Sequence, residues 1–149
     1  MYMSERKILA SEIHHRVIRK FPKRKVVVFQ KDEIWAIDLA QMNAFESFND
    51  GYKYILCIID VFTKYAWCVP LKTKANDVVL NAIKAIIKDS GRQPEKIWVD
   101  RGSEFYNKNF SNWAKKNNIT FYSTYGESKS VVVERFIRSL KELITPIFT

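Results

Sequence analysis

Apolar residues along the middle of the chain fall into short runs that predict β-strands. Ile34–Leu39 reads as a short strand, and Tyr52–Val61 is a continuous apolar run, typical of a strand covered on both faces. Asn49, Asp50 and Gly51 form a strong turn signal between these two strands. A further turn at residues 63–64 leads into Tyr65–Leu71, so the pattern predicts a three-stranded meander.

Three later segments have helical periodicity. Within Ala75–Ile87 the apolar residues recur every three or four positions, which places them on one stripe of an amphipathic helix. We expect Thr73 to cap this helix and Gly91 to end it. A second helix is predicted after Asn107, and Val131–Ile144 is predicted as the third.

Between the helices, Ile97–Asp100 and Ile119–Tyr122 read as short strands, and residues 123–130 as a mobile polar loop. Towards the N-terminus, residues 8–20 are compatible with a short helix and Val26–Phe29 with a strand. Strands alternating with helices indicate an α/β fold, a mixed sheet flanked by helices.

The 149-residue chain carries a net charge of +9, which favours a polyanionic partner, either a nucleic acid or an acidic membrane surface. Residues 1–33 hold nine basic against four acidic residues, and we interpret them as a basic extension preceding a core domain at 34–149. Six positive charges lie between Arg16 and Lys25, with Lys23, Arg24 and Lys25 as candidate DNA contacts. A solvated linker, a backbone-binding arm and a nuclear-import signal all remain open for this segment.

Several classes of protein and site are disfavoured. No apolar run reaches the roughly 18 residues of a membrane-spanning helix, and no secretion signal opens the chain. Four dispersed glycines exclude a glycine-rich phosphate loop. Cys57 and Cys68 are too few for a structural zinc site and are expected to be buried thiols in a reducing compartment.

Three carboxylates stand out because they adjoin apolar positions. Asp38 lies within a predicted strand, Asp100 ends another, and Glu134 follows three valines at the start of the last helix. A carboxylate in such a place is costly unless it is paired or bound to a cation. Hard oxygen ligands select Mg²⁺ or Mn²⁺, so the three residues are candidate ligands of a shared divalent-metal site.

The last helix adds two cations to this site. Glu134, Arg138 and Lys141 fall on one helix face, while a second face with Val133 and Ile137 is apolar and expected to meet the core. A metal ligand followed by two cations suits a phosphate backbone held beside a metal. The alternative is an ordinary surface pair of Glu134 with Arg138.

Three motifs together resemble the catalytic core of retroviral-type integrases, the DDE superfamily with a ribonuclease H-like fold. They are WAIDLA around Asp38, WVDRGSEF around Asp100 and VVVERFIRSLK around Glu134, with 33 residues between the last two carboxylates, close to the family's usual spacing. The segments NDGYKYILCIIDVFTKYAW and EFYNKNF resemble more specifically the integrases of Maverick/Polinton elements and related virophages. Two departures are Ile137, where a polar residue is common, and residues 123–130, which replace a proline-containing loop.

The resemblance implies a ribonuclease H-like, five-stranded mixed sheet and a DNA integrase. The three carboxylates would hold two Mg²⁺ or Mn²⁺ ions for 3′-end processing and strand transfer, on double-stranded DNA of the element and target. It further implies a homodimer or higher assembly on DNA, in a host nucleus or a viral particle or factory. A ribonuclease H-like nuclease and a non-catalytic DNA-binding or assembly module are the alternatives.

For other polar and aromatic residues the sequence gives weaker evidence of a functional role. Glu104 occupies a site where relatives carry a polar residue near the substrate, so the resemblance makes it a candidate DNA contact. Lys129 in the polar loop is another candidate DNA contact. Asp60 is interpreted as a turn-capping residue and not as a catalytic acid. The four tryptophans are expected to pack in the core.

Overall fold

A computed structural model describes residues 26–100, 102–123 and 131–147. The strands and helices follow the predicted order closely, with two additional 3-10 helices at Asn43–Phe48 and Thr145–Ile147. The elements are β1 (Ile34–Gln41), β2 (Tyr54–Asp60), β3 (Ala66–Leu71), α1 (Asn76–Ser90), β4 (Lys96–Val99), α2 (Lys108–Lys116), β5 (Thr120–Ser123) and α3 (Val131–Ile144).

The five strands form one mixed sheet in the order β3-β2-β1-β4-β5. β1, β2 and β3 pair antiparallel, which is the predicted meander, whereas β4 lies parallel to β1 and β5 parallel to β4. Parallel neighbours require a crossover, and α1 and α2 supply the connections that bring β4 and β5 to the far side of β1.

Alternation along the strands gives the sheet two apolar faces, each with its own helices. Trp35 and Ile37 of β1 point to the face that α1 and α2 cover. Ala36 and Ala40 point to the opposite face, where Val133 of α3 belongs to the same buried cluster. A strand buried on both faces needs an unbroken apolar sequence, which explains why β1 and β2 lack simple alternation.

The helix ends obey local rules, with one exception. Gly91 ends α1 in the left-handed conformation at φ 66°, and the Asn107 side chain accepts a hydrogen bond from the Phe110 backbone N–H at 2.9 Å, capping α2. The predicted capping role of Thr73 is wrong. The N-cap position is Ala75, whose side chain makes no capping hydrogen bond. The helix therefore begins two residues later than a cap at Thr73 would place it.

Two further expectations are corrected. Val26–Phe29 is not a strand: no strand within the described ranges pairs with it, and Phe29 is 80% exposed. Cys57 is buried as expected, but Cys68 is exposed because it lies on β3, at the edge of the sheet. The helix proposed for residues 8–20 lies outside the described residues.

Packing accounts for the tryptophans, as predicted. Trp35 and Trp98 are buried, and Trp67 and Trp113 are partly buried against the core. In the described residues no helix is both long and apolar enough to cross a membrane.

Candidate functional site

Asp38 lies in the middle of the sheet, on β1. Its neighbours two positions away, Ala36 and Ala40, are buried beneath α3, so strand alternation places Asp38 on that same face. The side chain is half-buried, and its Oδ1 accepts a hydrogen bond from the Leu39 backbone N–H at 2.8 Å. A central strand thus holds this carboxylate on the α3 side of the sheet.

Asp100 follows directly after β4, the parallel neighbour of β1. The strands are in register with Trp98 opposite Ala36 and Val99 opposite Ile37. Asp100 follows Val99 on one strand, and Asp38 follows Ile37 on the other. The two aspartates therefore lie at the same level, one position beyond the Ile37–Val99 pair. Neighbouring strands lie about 4.8 Å apart, so the chain topology brings the two aspartate backbones to one edge of the β1–β4 pair. Asp100 is exposed there.

Glu134 lies in the first turn of α3, next to the buried Val133 that anchors the helix on the sheet. The predicted division of this helix into two faces is confirmed, because Val133, Ile137 and Leu140 belong to the apolar cluster under α3. The other face borders a groove of about 670 Å³. Its lining includes Glu134, Arg138, Lys141 and Glu142.

Among the residues that the structure describes, the side chains lining this groove carry equal numbers of positive and negative charges. Arg138 and Lys141 contribute two positive charges, and Glu134 and Glu142 contribute two negative ones. A polyanion entering the groove would meet Glu134 as a repulsive neighbour. A cation bound at Glu134 would remove that repulsion and leave the two basic side chains to act on the anion.

The three candidate ligands are not gathered into a ready metal site. Within residues 26–100, 102–123 and 131–147, no group of three or more His, Cys, Asp or Glu side chains is placed to hold a metal ion. The donor chemistry fits a hard divalent cation, since all three groups are carboxylates. The assignment of Asp38, Asp100 and Glu134 as ligands stays a prediction.

Glu104 lies in the turn that follows Asp100, folded back over Gly102. A Cβ added at Gly102 would stand only 2.5 Å from the Glu104 carboxyl carbon. The Phe105 backbone N–H donates to the Gly102 carbonyl at 3.2 Å, which closes a turn after Asp100. Gly102 does not have a positive φ, so its missing side chain leaves room for the Glu104 carboxylate and is not required by the backbone conformation.

Cys57 is a neighbour of Asp38 that the sequence did not predict. Cys57 is the residue directly opposite Asp38 on β2, and Asp38 and Lys141 both act electrostatically on its thiol. The pKa of Cys57 is raised, chiefly by its contact with Cys68 and then by burial, and that contact lowers the pKa of Cys68. Only the strand register reveals this arrangement, because the two cysteines are eleven positions apart in the chain.

Asp60 is a structural residue, as predicted, with a partner that the sequence did not reveal. Its carboxylate accepts hydrogen bonds from the Phe62 backbone N–H at 3.2 Å and from the Thr63 hydroxyl at 2.7 Å, which caps the turn. It is fully buried and forms an ion pair with Arg92 at 2.5 Å. The Arg92 guanidinium also pairs with Asp32 at 2.6 Å.

Four of the predicted DNA contacts cannot be placed. Lys129, in the polar loop, and Lys23, Arg24 and Lys25, in the basic extension, lie outside the described residues. Their roles stay predictions.

Comparison with known proteins adds an independent observation. The sequence model of the family described as "Integrase core domain" matches residues 28–125. The chain is 32% identical over 108 residues to an uncharacterized transposon-derived protein of Caenorhabditis elegans, covering 72% of this chain and 38% of that protein. It is 32% identical over 102 residues to the Pro-Pol polyprotein of feline foamy virus, covering 65% of this chain and 8% of the polyprotein. The chain therefore spans well under half the length of these relatives.

Solved structures share the architecture. The chain resembles a protein in the simian T-cell lymphotropic virus intasome with a TM-score of 0.77 at 18% identity, covering 89% of this chain and 47% of that one. It resembles the HTLV-2 integrase catalytic core domain in complex with magnesium, in its trimeric form, with a TM-score of 0.64 at 20% identity, covering 78% and 71%. At these identities the likeness establishes the fold, which is the expected ribonuclease H-like one with five strands in a mixed sheet.

Proposed function

The chain belongs to the integrase core domain family, and on that basis we propose that it is the catalytic core of a DNA integrase. It trims the 3′ end of an element's DNA and then joins that end to a target duplex. One observation carries the proposal. Parallel pairing of β1 with β4 brings Asp38 and Asp100 to the same level of the sheet, on the side that α3 covers with Glu134.

Asp38, Asp100 and Glu134 are the residues that would hold two divalent ions, Mg²⁺ or Mn²⁺. The chemistry that such ions would supply there is activation of a water or a DNA 3′-hydroxyl and stabilisation of the leaving oxygen. The HTLV-2 core domain of the same fold was solved in complex with magnesium, which supports this choice of cation. Carboxylates that lie close together repel one another, so a divalent cation held by these three residues would offset that repulsion.

Arg138 and Lys141 act on the DNA backbone. They follow Glu134 along the same groove, one and two turns further on, so a phosphate held by them lies beside the proposed metal ligand. Contacts of this kind give affinity with little base selectivity. The charge balance of the groove makes DNA binding there dependent on divalent cations.

Two or more copies act together on DNA in this proposal, because joining two element ends requires more than one active site. The exposed positions of α1 are mostly polar, so this helix offers little apolar surface for a dimer. Val79 and Ile83 of that helix are buried within the core, whereas its exposed positions include Asn81, Lys84 and Lys88. We therefore propose that the assembly forms on DNA, in the compartment that holds the target DNA, a host nucleus or a viral factory.

The source of the element is also a proposal. The segments NDGYKYILCIIDVFTKYAW and EFYNKNF favour a Maverick/Polinton or virophage integrase. The identity to a transposon-derived protein and to a foamy-virus polyprotein supports the broader class of mobile-element and retroviral integrases.

Reverse strand transfer on a branched DNA tests the function most simply. The branched substrate already joins an element end to a target, so a single active site can act on it without assembling two ends. We expect Mg²⁺-dependent resolution of the branch, abolished in Asp38→Asn and retained in Asp89→Asn, a matched change of an exposed aspartate on α1. Cleavage restricted to RNA–DNA hybrids would indicate a nuclease instead, and DNA binding without cleavage would indicate a non-catalytic module.

A further inference from the structure

The two cysteines of the sequence face each other across neighbouring strands. Cys57 on β2 is directly opposite Cys68 on β3, and their Sγ atoms are 4.0 Å apart. Cys57 is fully buried, whereas Cys68 is exposed at the edge strand. The Cys68 thiol is thus open to reagents in solution. The Cys57 thiol is shielded from them but lies beside the Cys68 thiol.

Strand register makes this pair suitable for a covalent bond. The Asp60 backbone N–H donates to the Tyr65 carbonyl at 2.9 Å, which marks that pair of residues as hydrogen-bonded. Hydrogen-bonded and non-hydrogen-bonded pairs alternate along antiparallel strands. The Cys57–Cys68 pair lies three positions along the ladder from the Asp60–Tyr65 pair, so it is a non-hydrogen-bonded pair. Pro70, which has no N–H to donate, belongs to the same class opposite Ile55 and agrees with this assignment.

Non-hydrogen-bonded pairs are the closer ones. Their Cα atoms lie about 4.5 Å apart, inside the range of roughly 4.4–6.8 Å that disulfides occupy. Cross-strand partners also point to the same side of the sheet, so no change of backbone register is needed to bring the two sulfur atoms into bonding contact.

We propose that Cys57 and Cys68 form a redox-active dithiol, which a small-molecule disulfide such as oxidised glutathione converts into an intramolecular disulfide. The Cys68 thiol loses its proton and attacks one glutathione sulfur, forming a mixed disulfide and releasing one glutathione thiolate. Cys57 then loses its proton and attacks the Cys68 sulfur, releasing the second glutathione thiolate. Both released thiolates take up the protons, so one disulfide is reduced to two glutathione molecules as the protein dithiol is oxidised.

The proposed disulfide would lie close to the candidate metal ligand Asp38. Cys57 is the β2 partner of Asp38, on the face of the sheet that α3 covers. The disulfide would tie the edge strand β3 to β2 one strand away from the proposed metal ligand. Because Cys68 is exposed, the bond is open to reducing thiols and the reaction is reversible.

Thiol counting on the folded 149-residue chain tests the proposal without DNA or metal. The protein is treated with oxidised glutathione, alkylated with N-ethylmaleimide and analysed by intact mass and peptide mapping. We expect the alkylated thiols to fall from two to none, with a mass loss of two hydrogens and a peptide that links Cys57 to Cys68. Dithiothreitol should restore both thiols. A lasting glutathione adduct on Cys68, a dimer linked through Cys68, or two unreacted thiols would each overturn the proposal.

Two variants separate proximity from mere reactivity. In Cys57→Ser the resolving thiol is lost, so Cys68 should accumulate a stable glutathione adduct. In a double variant, Cys68→Ser with Val69→Cys, the thiol moves by one residue to the opposite face of the sheet, where Val69 packs on the other cluster. That variant should form no disulfide with Cys57, and an equally fast disulfide there would contradict the argument from register.

Discussion

Replacing Arg92 by alanine should destabilise the fold strongly, although Arg92 lies outside the proposed site. Its guanidinium pairs with Asp60 at 2.5 Å and with Asp32 at 2.6 Å, and it stacks over Trp67 at 4.8 Å from the ring centroid. The Asp60 side chain is fully buried and that of Arg92 is only 15% exposed. The substitution therefore leaves a buried carboxylate without its cation.

The expected loss follows from that burial. Removing one partner of a buried ion pair costs about 3–5 kcal/mol. We expect the lower end of that range, because Thr63 and the Phe62 backbone N–H still donate to Asp60 in the variant. For a chain of this length a loss of about 3 kcal/mol lowers Tm by roughly 6–12 °C.

Urea and thermal unfolding followed by circular dichroism measure this loss, with Lys53→Ala as the control. Lys53 pairs with Glu46 at 2.9 Å, but the two side chains are 41% and 44% exposed, and such pairs contribute less than about 1 kcal/mol. If Arg92→Ala lost no more stability than Lys53→Ala, the buried pair would not have the role that we assign to it.

The same pair predicts how stability varies with pH. Burial acts to raise the pKa of Asp60, but hydrogen bonds from Thr63, Phe62, Asp32 and Arg92 outweigh burial and lower it. A lowered folded-state pKa means that the ionised carboxylate stabilises the fold above its unfolded pKa of about 3.9. That contribution is lost as the pH falls through the lower folded-state pKa, so the fold should weaken below about pH 4.

Three further predictions concern DNA binding, assembly and a helix end. Replacing Lys23, Arg24 and Lys25 by alanine should flatten the dependence of log K on log[salt] for DNA binding by up to about three units, roughly 0.9 per lost phosphate contact, and an unchanged slope would make the segment a linker. Light scattering should give a mass of two or more copies when element-end DNA is added, and a single copy per DNA at saturation would exclude that assembly. Gly91→Ala should cost about 1 kcal/mol in urea unfolding, because φ is 66° there and no atom of the described residues lies within 4 Å of an added Cβ; an unchanged midpoint would contradict this.

Local pattern was sufficient for most of the fold. Val131–Ile144 begins and ends where its periodicity predicts, and Asn107 caps α2 as its position before a helical segment suggests. Val26–Phe29 has a strand-like composition as well, yet it forms none. A strand requires a neighbour with which to pair, and composition carries no information about that neighbour.

In the candidate site, too, the sequence did not predict which side chains become neighbours. Sequence motifs singled out Asp38 and Asp100, and the strand register accounts for why they occur together. The partnership of Asp60 with Arg92 and of Cys57 with Cys68 depends on which strands and loops become neighbours, so no local pattern predicts it. Gly102 is a further case, since no local pattern predicts that the Glu104 carboxylate folds back over it.

The proposed metal site can be examined by divalent-cation binding to the chain alone, because this binding requires neither DNA nor partner domains. Mn²⁺ binding is measured by calorimetry for the unsubstituted chain and for Asp38→Asn, Asp100→Asn and Glu134→Gln. The matched control is Glu142→Gln, a change of a second glutamate on the same helix that lines the same groove.

We expect each of the three substitutions to weaken Mn²⁺ binding by at least about tenfold, the loss that follows even from removing a residue that only supports a ligand. Glu142→Gln should bind like the unsubstituted chain. Equal affinity in Asp38→Asn, Asp100→Asn and Glu134→Gln would contradict a shared metal site built from these carboxylates.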